Sequence, residues 1–310
     1  MTATLRIGTR GSALALVQAR WAQAALQRLD PTCRVDLVII KTSGDRFVDR
    51  PLSSLGGKGL FVKEIEEALR SGAVDLAVHS MKDVPTELAP GLVIAAVPPR
   101  ANPSDVLITR TGERLATLPR GARVGTSSLR RMALLRAARS DLAIHPLRGN
   151  VDTRLRKLAA GDLDAIVLAV AGLERLGLDP PHQDRLSLED FPPAIGQGAL
   201  AIETRMDAVR AVVGALDDPE SRLAVTAERA FLDRVGGSCH TPLAAHATVT
   251  RDTVRLAALI ASPDGSQVIR GAQTGPRQSA ADIGRAVGSE LLAAGGFEIL
   301  RALEDSSHAG

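Results

Sequence analysis

Hydrophobic and polar positions along this chain fall into blocks that predict strands and helices in turn, and one block is set apart by its abrupt polar ending. Val74, Leu76, Ala77 and Val78 form a short apolar run with the length and composition of a buried strand. It leads directly into His79-Ser80-Met81-Lys82-Asp83-Val84-Pro85, where an imidazole, a hydroxyl, an ammonium and a carboxylate crowd together before a proline stop. Wound α/β sheets bind ligands just beyond the carboxyl ends of their strands, so such a fold would place chemistry here. The plain alternative is a solvated loop in which Lys82 and Asp83 face water. The rest of the pattern has to decide between the two.

Taken in order, Leu5 to Gly8 predicts a strand and Thr9-Arg10-Gly11-Ser12 a turn, followed by a helix whose Leu14, Val17, Trp21 and Ala25 share a face. Ser12 is placed to cap that helix. Asp30-Pro31 ends it and Val35 to Ile40 is a second strand, a βαβ unit with Arg10 beside a helix N-terminus that attracts anions. Cys33, between helix and strand, reads as structural. The glycine-rich stretch 41–59 lacks the GxxxxGK[ST] spacing of a phosphate loop. It reads as a lid whose Lys58 could close over an anionic ligand. The next helix places Phe61, Ile65, Ala68 and Leu69 on one face and stops at Ser71-Gly72; a strand at Val93 to Val97 then runs to a boundary at Pro98-Pro99.

Beyond that boundary the pattern repeats. Val124-Gly125-Thr126-Ser127-Ser128-Leu129-Arg130-Arg131 has the plan of Ile7-Gly8-Thr9-Arg10-Gly11-Ser12, and residues 155–167 have the plan of residues 68–78, a helix, a glycine stop, an aspartate and a buried strand. Two similar α/β lobes with a ligand cleft between them are the economical reading. The second copy gathers Arg130, Arg131, Arg148, Arg154 and Arg175 at strand ends or first helical turns, where they could converge on one anion. Pro192 to Gly198 reads as a rigid turn and glycine hinge into a strand that returns to the first lobe. From Asp217 onward the class changes to a helix, three strands separated by turns such as Ser262-Pro263-Asp264-Gly265, and a final helix from Ala280 to Leu303.

Composition narrows the function. With 310 residues and 45% hydrophobic residues there is ample material for packed cores, and no apolar run is long enough to span a bilayer. Met1-Thr2-Ala3-Thr4 leads straight into a strand without a cationic leader, which points to the cytoplasm. The net charge is a mild +3, and aromatics are only 2% of the chain with no tyrosine, so the stacking platforms of single-strand binders are missing and nucleic acid is not the expected partner. Cys33 and Cys239 lie far apart, which argues against a disulfide framework. Cys239, His240 and His246 lack a fourth ligand and the usual spacing, so no metal is expected. Cys239 instead stands in the loop Gly236-Gly237-Ser238-Cys239-His240-Thr241-Pro242 as a thiol that must act alone.

The 79–85 segment, Gly56-Gly57-Lys58-Gly59-Leu60-Phe61, the 124–131 segment, Leu147-Arg148-Gly149-Asn150 and Gly236-Gly237-Ser238-Cys239, in this order and spacing across essentially the whole chain, resemble the hydroxymethylbilane synthase (porphobilinogen deaminase) family. The resemblance implies an α/β fold of two periplasmic-binding-protein-like lobes with wound five-stranded sheets. A C-terminal α+β domain with a three-stranded antiparallel sheet would complete it. The domains would be 1–98 with 199–216, 99–198, and 217–310.

The resemblance also implies a transferase of tetrapyrrole and haem biosynthesis. Cys239 would hold a dipyrromethane cofactor through a thioether. Four porphobilinogen molecules would be joined on this primer, ammonia lost at each step, and water would release hydroxymethylbilane. Asp83 would be the catalytic carboxylate, stabilising the cationic azafulvene and shuttling protons. Lys82, Thr126, Ser127, Ser128, Arg130, Arg131, Arg148 and Gly149 would bind the cofactor. Arg10, Ser12, Gln18, Lys58, Phe61, Arg154, Arg175 and Gln197 would bind the substrate, since arginine forks match the acetate and propionate carboxylates of each pyrrole. A monomer is implied, with transient hand-over of product to the next enzyme and neither membrane, metal nor nucleic acid involved. Ala13 departs from the proline common in the family after the first-turn serine. The competing class is a non-enzymatic two-lobed binding protein for an anionic solute, which leaves Asp83 and Cys239 without a task.

Overall fold

In the computed structural model, which describes residues 4–43, 62–207, 210–237 and 241–308, the repeat legible in the sequence is a repeat of sheet topology. The strands are β1 (Thr4–Thr9), β2 (Arg34–Ile39), β3 (Leu76–Ser80), β4 (Leu92–Ala96), β5 (Asp105–Thr109), β6 (Arg123–Gly125), β7 (Ala143–His145), β8 (Ala165–Ala169), β9 (Gln183–Arg185), β10 (Leu200–Arg205), β11 (Leu243–Val249), β12 (Thr253–Ala261) and β13 (Val268–Pro276). The helices are α1 (Ala13–Leu29), α2 (Lys63–Arg70), α3 (Leu129–Ala138), α4 (Val151–Ala159), α5 (Val170–Leu176), α6 (Arg210–Gly214), α7 (Pro219–Val235), α8 (Ala280–Leu291) and α9 (Phe297–His308). One five-stranded sheet has the order β2-β1-β3-β10-β4 and the other β7-β6-β8-β5-β9. In each, the first three strands are parallel and the fourth runs against both neighbours. The fourth strand is β10 in one sheet and β5 in the other, so a common order arises from different connections.

The chain divides into two compact units. One comprises Met1–Asn102, Glu174–Leu178 and Gly198–Arg222, the other Pro103–Leu173, Asp179–Gln197 and Leu223–Gly310. The strand from Leu200 does return to the first sheet, between β3 and β4.

The same clamp locks each repeat. Asp75, just before β3, accepts from the backbone N–H and Nε of Arg6, while Arg6 Nη2 donates to Asp75 Oδ1 at 3.0 Å and to the Gly72 carbonyl at 2.8 Å. Asp164, just before β8, does the same with Arg123, whose Nη2 reaches Asp164 Oδ1 at 2.8 Å and the Gly161 carbonyl at 3.0 Å. Gly72 and Gly161 sit at φ 72° and 87°, the left-handed geometry that ends a helix and that glycine adopts without a Cβ clash. The glycine-then-aspartate pattern is therefore a device for aiming the next strand.

Two expectations from periodicity are corrected. The buried face of α1 is Gln18, Ala19, Ala22, Ala25 and Leu26, one step round from the one expected, and Trp21 is left 39% exposed. Small alanines let the helix lie close on its sheet, which the bulk of Trp21 would prevent. The final helix is in fact two, α8 and α9, joined through a π turn at Leu292–Gly296 in which Gly295 has φ 108°.

Within the second unit the sheet β11-β12-β13 is covered on both faces. Leu256 and Ile260 pack with Phe231, Val287 and Leu291 of the C-terminal helices, while Ala244, Leu259 and Ala261 join Val124, Leu134 and Leu135 in the core of the second five-stranded sheet. Arg136 Nη1 on α3 also donates to the Pro263 carbonyl in the β12–β13 turn at 2.9 Å. Among the described residues no helix is long and apolar enough to cross a membrane.

The packing of α8 on α7 depends on Gly284, where a Cβ would run into the Ala227 carbonyl oxygen. Gly284→Ala is expected to cost about 1–3 kcal/mol, as overpacking against rigid backbone does, read as a lower urea midpoint. The clamp gives a pH prediction. Arg123's hydrogen bond holds the Asp164 carboxyl at about 2, below its unfolded value of about 3.9. Its contribution is therefore present above about pH 4 and lost as pH falls through about 2. Asp164→Asn should flatten the parent's stability loss over that window, by under about 1 kcal/mol because the pair is partly exposed.

Candidate active site

The carboxyl end of β3 carries the polar segment that the sequence set apart. Met81 is buried, and its N–H donates to the Ala199 carbonyl at 3.0 Å, while the Val84 N–H closes the 3-10 turn onto the Met81 carbonyl at 3.1 Å. A turn pinned at its first residue holds the next two outward. Lys82 is half-buried and Asp83 is exposed. Asp83 lines a pocket with Arg10, Ser12, Gln18, His79 and Ser80 above apolar Val62 and Ile65. Ser12 caps α1 by accepting from the Ala15 N–H at 3.3 Å, which fixes the turn carrying Arg10. Gln18 Nε2 donates to Ser80 Oγ at 2.9 Å, tying α1 to the end of β3. Four predicted site residues, Arg10, Ser12, Gln18 and Asp83, thus converge in the first unit.

A buried pair that the sequence did not announce lies beside them. His79 Nε2 is 2.9 Å from Glu203 Oε2 on β10, and both side chains are almost fully enclosed. Burial and then the charge of Glu203 raise the Glu66 carboxyl above its ordinary value. A glutamate inside the strand Leu200–Arg205 reads as an ordinary solvent-facing residue. Only the pairing of β10 with β3 shows where it points.

In the second unit, Thr126, Ser127 and Ser128 form the turn between β6 and α3. Ser128 caps α3 by accepting from the Arg131 N–H, Thr126 Oγ1 accepts from the Ser128 N–H at 3.2 Å, and Ser127 Oγ bridges the Leu147 backbone at 3.0 Å in both directions. That bridge joins the hydroxyl turn to the loop of Arg148 and Gly149. Gly149 has φ 106°, and its carbonyl accepts from Arg154 Nε at 2.9 Å.

Arg130 and Arg131 are buried and share one carboxylate, that of Asp105. Gln197, 1% exposed, donates its amide to the same carboxylate at 2.8 Å and to the Pro103 carbonyl at 2.7 Å. Arg154 has its pKa pushed down to about 10 by burial and by the charges of Arg131 and Arg148, both of which reach it. Arg175 falls in the first unit, where Nη2 donates to the Gly198 carbonyl at 2.6 Å and burial lowers its pKa. Lys58, Phe61 and Cys239 lie outside the described residues. Asp105, which opens β5, is not legible in the sequence, since a strand-initial aspartate carries no pattern of its own.

Comparison with known proteins bears on the family. Residues 5–212 match the family description "Porphobilinogen deaminase, dipyromethane cofactor binding domain", and residues 222–293 match "Porphobilinogen deaminase, C-terminal domain". The chain is 51% identical over 305 residues to the porphobilinogen deaminase of Syntrophotalea carbinolica, covering 98% of this chain and 97% of that protein. It is also 51% identical to those of Syntrophobacter fumaroxidans, covering 96% of each, and Roseiflexus castenholzii, covering 97% and 99%. Among solved structures, the alkanesulfonate-binding protein SsuA from Xanthomonas axonopodis pv. citri aligns over 76% of both chains at 20% identity, with a TM-score of 0.37 too low to carry an argument.

Proposed function

The chain belongs to the porphobilinogen deaminase family of hydroxymethylbilane synthases, and we propose that it joins four porphobilinogen molecules on a dipyrromethane primer held by Cys239 and releases the linear tetrapyrrole by hydrolysis. The observation that carries the reading is the gathering of arginines around two joined turns, Arg131 held on Asp105 and Arg154 on the Gly149 carbonyl, with the charges of Arg131 and Arg148 both reaching Arg154. Cations forced together at a cost in free energy fit a ligand that brings several carboxylates, and the dipyrromethane group, with an acetate and a propionate on each ring, has that character. When bound, the group supplies the nucleophilic pyrrole carbon on which the chain grows.

The chain's own residues supply the rest. Arg130, Arg131, Arg148 and the Thr126–Ser128 turn hold the cofactor's carboxylates, with Lys82 and the backbone at Gly149. Arg10, Ser12, Gln18, Arg154 and Arg175 orient the incoming substrate, joined by Lys58 and Phe61 from the 44–61 segment, while Gln197, its amide engaged by Asp105 and the Pro103 carbonyl, acts from behind the site. Asp83 stabilises positive charge at the reacting carbon as ammonia departs and takes up the proton that the attacking pyrrole sheds. Its place on a turn anchored by Met81 supports that role, because the carboxylate is exposed while its backbone is fixed. The functional parts are 1–98 with 199–216, 99–198 and 217–310. The reading includes a cytoplasmic monomer that hands its product transiently to the next enzyme.

The test is the intact mass of the denatured protein. An excess equal to two linked pyrroles is expected in the parent and not in Cys239→Ser. A bare parent mass, even after incubation with porphobilinogen or preformed hydroxymethylbilane, would overturn the reading in favour of an anion-binding protein. Asp83→Asn should keep the covalent mass and lose at least about 100-fold in turnover, the scale of a positioned acid–base group; full turnover in this variant would remove Asp83 from the mechanism.

A further inference from the structure

Asp105 is fully buried at the start of β5, and both of its oxygens are doubly engaged. Oδ2 accepts from Arg130 Nη2 at 2.8 Å and Arg131 Nε at 3.2 Å, while Oδ1 accepts from Arg131 Nη2 at 2.7 Å and Gln197 Nε2 at 2.8 Å. The backbone completes the fan. Arg130 Nη1 donates to the Pro192 carbonyl at 2.9 Å and Arg131 Nη1 to the Val167 carbonyl at 3.0 Å.

A buried ion pair is weak evidence for stability, because desolvation offsets most of the attraction. Two guanidinium groups on one carboxylate need another reason to persist. The geometry provides one. Arg131 is gripped side-on through Nε and Nη2, the bidentate mode that sets a guanidinium plane as well as its position. Three of its five N–H groups are thereby placed, leaving one on each terminal nitrogen. Its charge is felt at Arg154, beside Arg148.

We infer that Asp105, braced by Gln197, is a positioning residue of the cofactor site: it acts through Arg131, holding that guanidinium in one orientation toward the ligand's carboxylates. The inference rests on the proposed function. It adds a carboxylate to a site otherwise described by its cations and assigns it a task in loading rather than in chemistry. Arg130 shares the carboxylate and is 4% exposed.

The experiment is a double-mutant cycle on cofactor loading. Parent, Asp105→Asn, Arg131→Lys and the double variant are prepared without cofactor, and the folded fraction of each is incubated with preformed hydroxymethylbilane and followed by intact mass. Lysine keeps the charge and cannot be gripped side-on. Each single variant should load about tenfold more slowly than the parent, and the double no more slowly than Arg131→Lys alone, because groups acting as a unit are not additive. Asp105→Asn loading at the parent rate, or slowing that multiplies in the double, would overturn the inference and leave Asp105 a structural residue. Should Asp105→Asn fail to fold, the cycle is run with Asp105→Glu, which keeps the charge and displaces it, and the same two outcomes decide. A parent that acquires no mass would instead defeat the proposed function.

Discussion

Guanidinium groups repel one another, and a site built from several of them has to be kept assembled before any anion arrives. Arg131, Arg148 and Arg154 are close enough for their charges, with burial, to bring Arg154 down to about 10. Nothing in the intrinsic preferences of arginine would put them there, since each side chain gives up both hydration and rotamer freedom. The chain meets the cost with fixed acceptors. Asp105, the Pro192 and Val167 carbonyls and the Gly149 carbonyl each take an N–H from one of these arginines or from Arg130. Most of these acceptors are backbone atoms, of the Pro192 and Gly149 turns and of strand β8, so the positive cluster is tied to the fold itself.

The repeat shows how a common scaffold was given unlike tasks. In both sheets an aspartate ahead of the third-ordered strand grips an arginine of the neighbouring strand, and the preceding left-handed glycine offers its carbonyl to the same guanidinium. Both first turns end in a serine cap, Ser12 and Ser128. The two copies part at the carboxyl end of the third-ordered strand. After β3 comes a 3-10 turn that exposes Asp83, whereas β8 continues directly into α5. One copy ends in an acid beside a pocket, and the other contributes a held cluster of cations.

Legibility depends on range. Segments whose pattern is local are readable from the chain: the βαβ openings, the repeat, the serine caps, the return of the strand after Gly198 and the three-stranded terminal sheet. The faces and breaks of helices are less so where a small residue overrides bulk. Alanines rather than Trp21 pack α1, and Gly295 divides a helix that periodicity alone would continue. The site splits in the same way. Arg10, Arg131, Arg148 and Arg154 announce themselves by standing at turns, but Asp105 and Glu203 do not, because a single acid in a strand has no signature until its partner on another strand or helix is brought to it. Their partners lie 25 and 124 residues away.

The two silent acids have something in common that bears on how such sites are built. Each lies in the strand that runs against its neighbours, β5 or β10, and each reaches a group whose own position is set by the adjacent parallel strand or the helix following one. The antiparallel strand lies outside the βαβ segment that forms the pocket or cation turn, so its side chains can be changed without altering that segment. Carboxylates placed on it reach their partners from an independent direction, His79 in one unit and Arg130 with Arg131 in the other. The separation of each acid from the segment it serves, which makes it hard to read from sequence, is thus the same feature that lets it support a site it does not line.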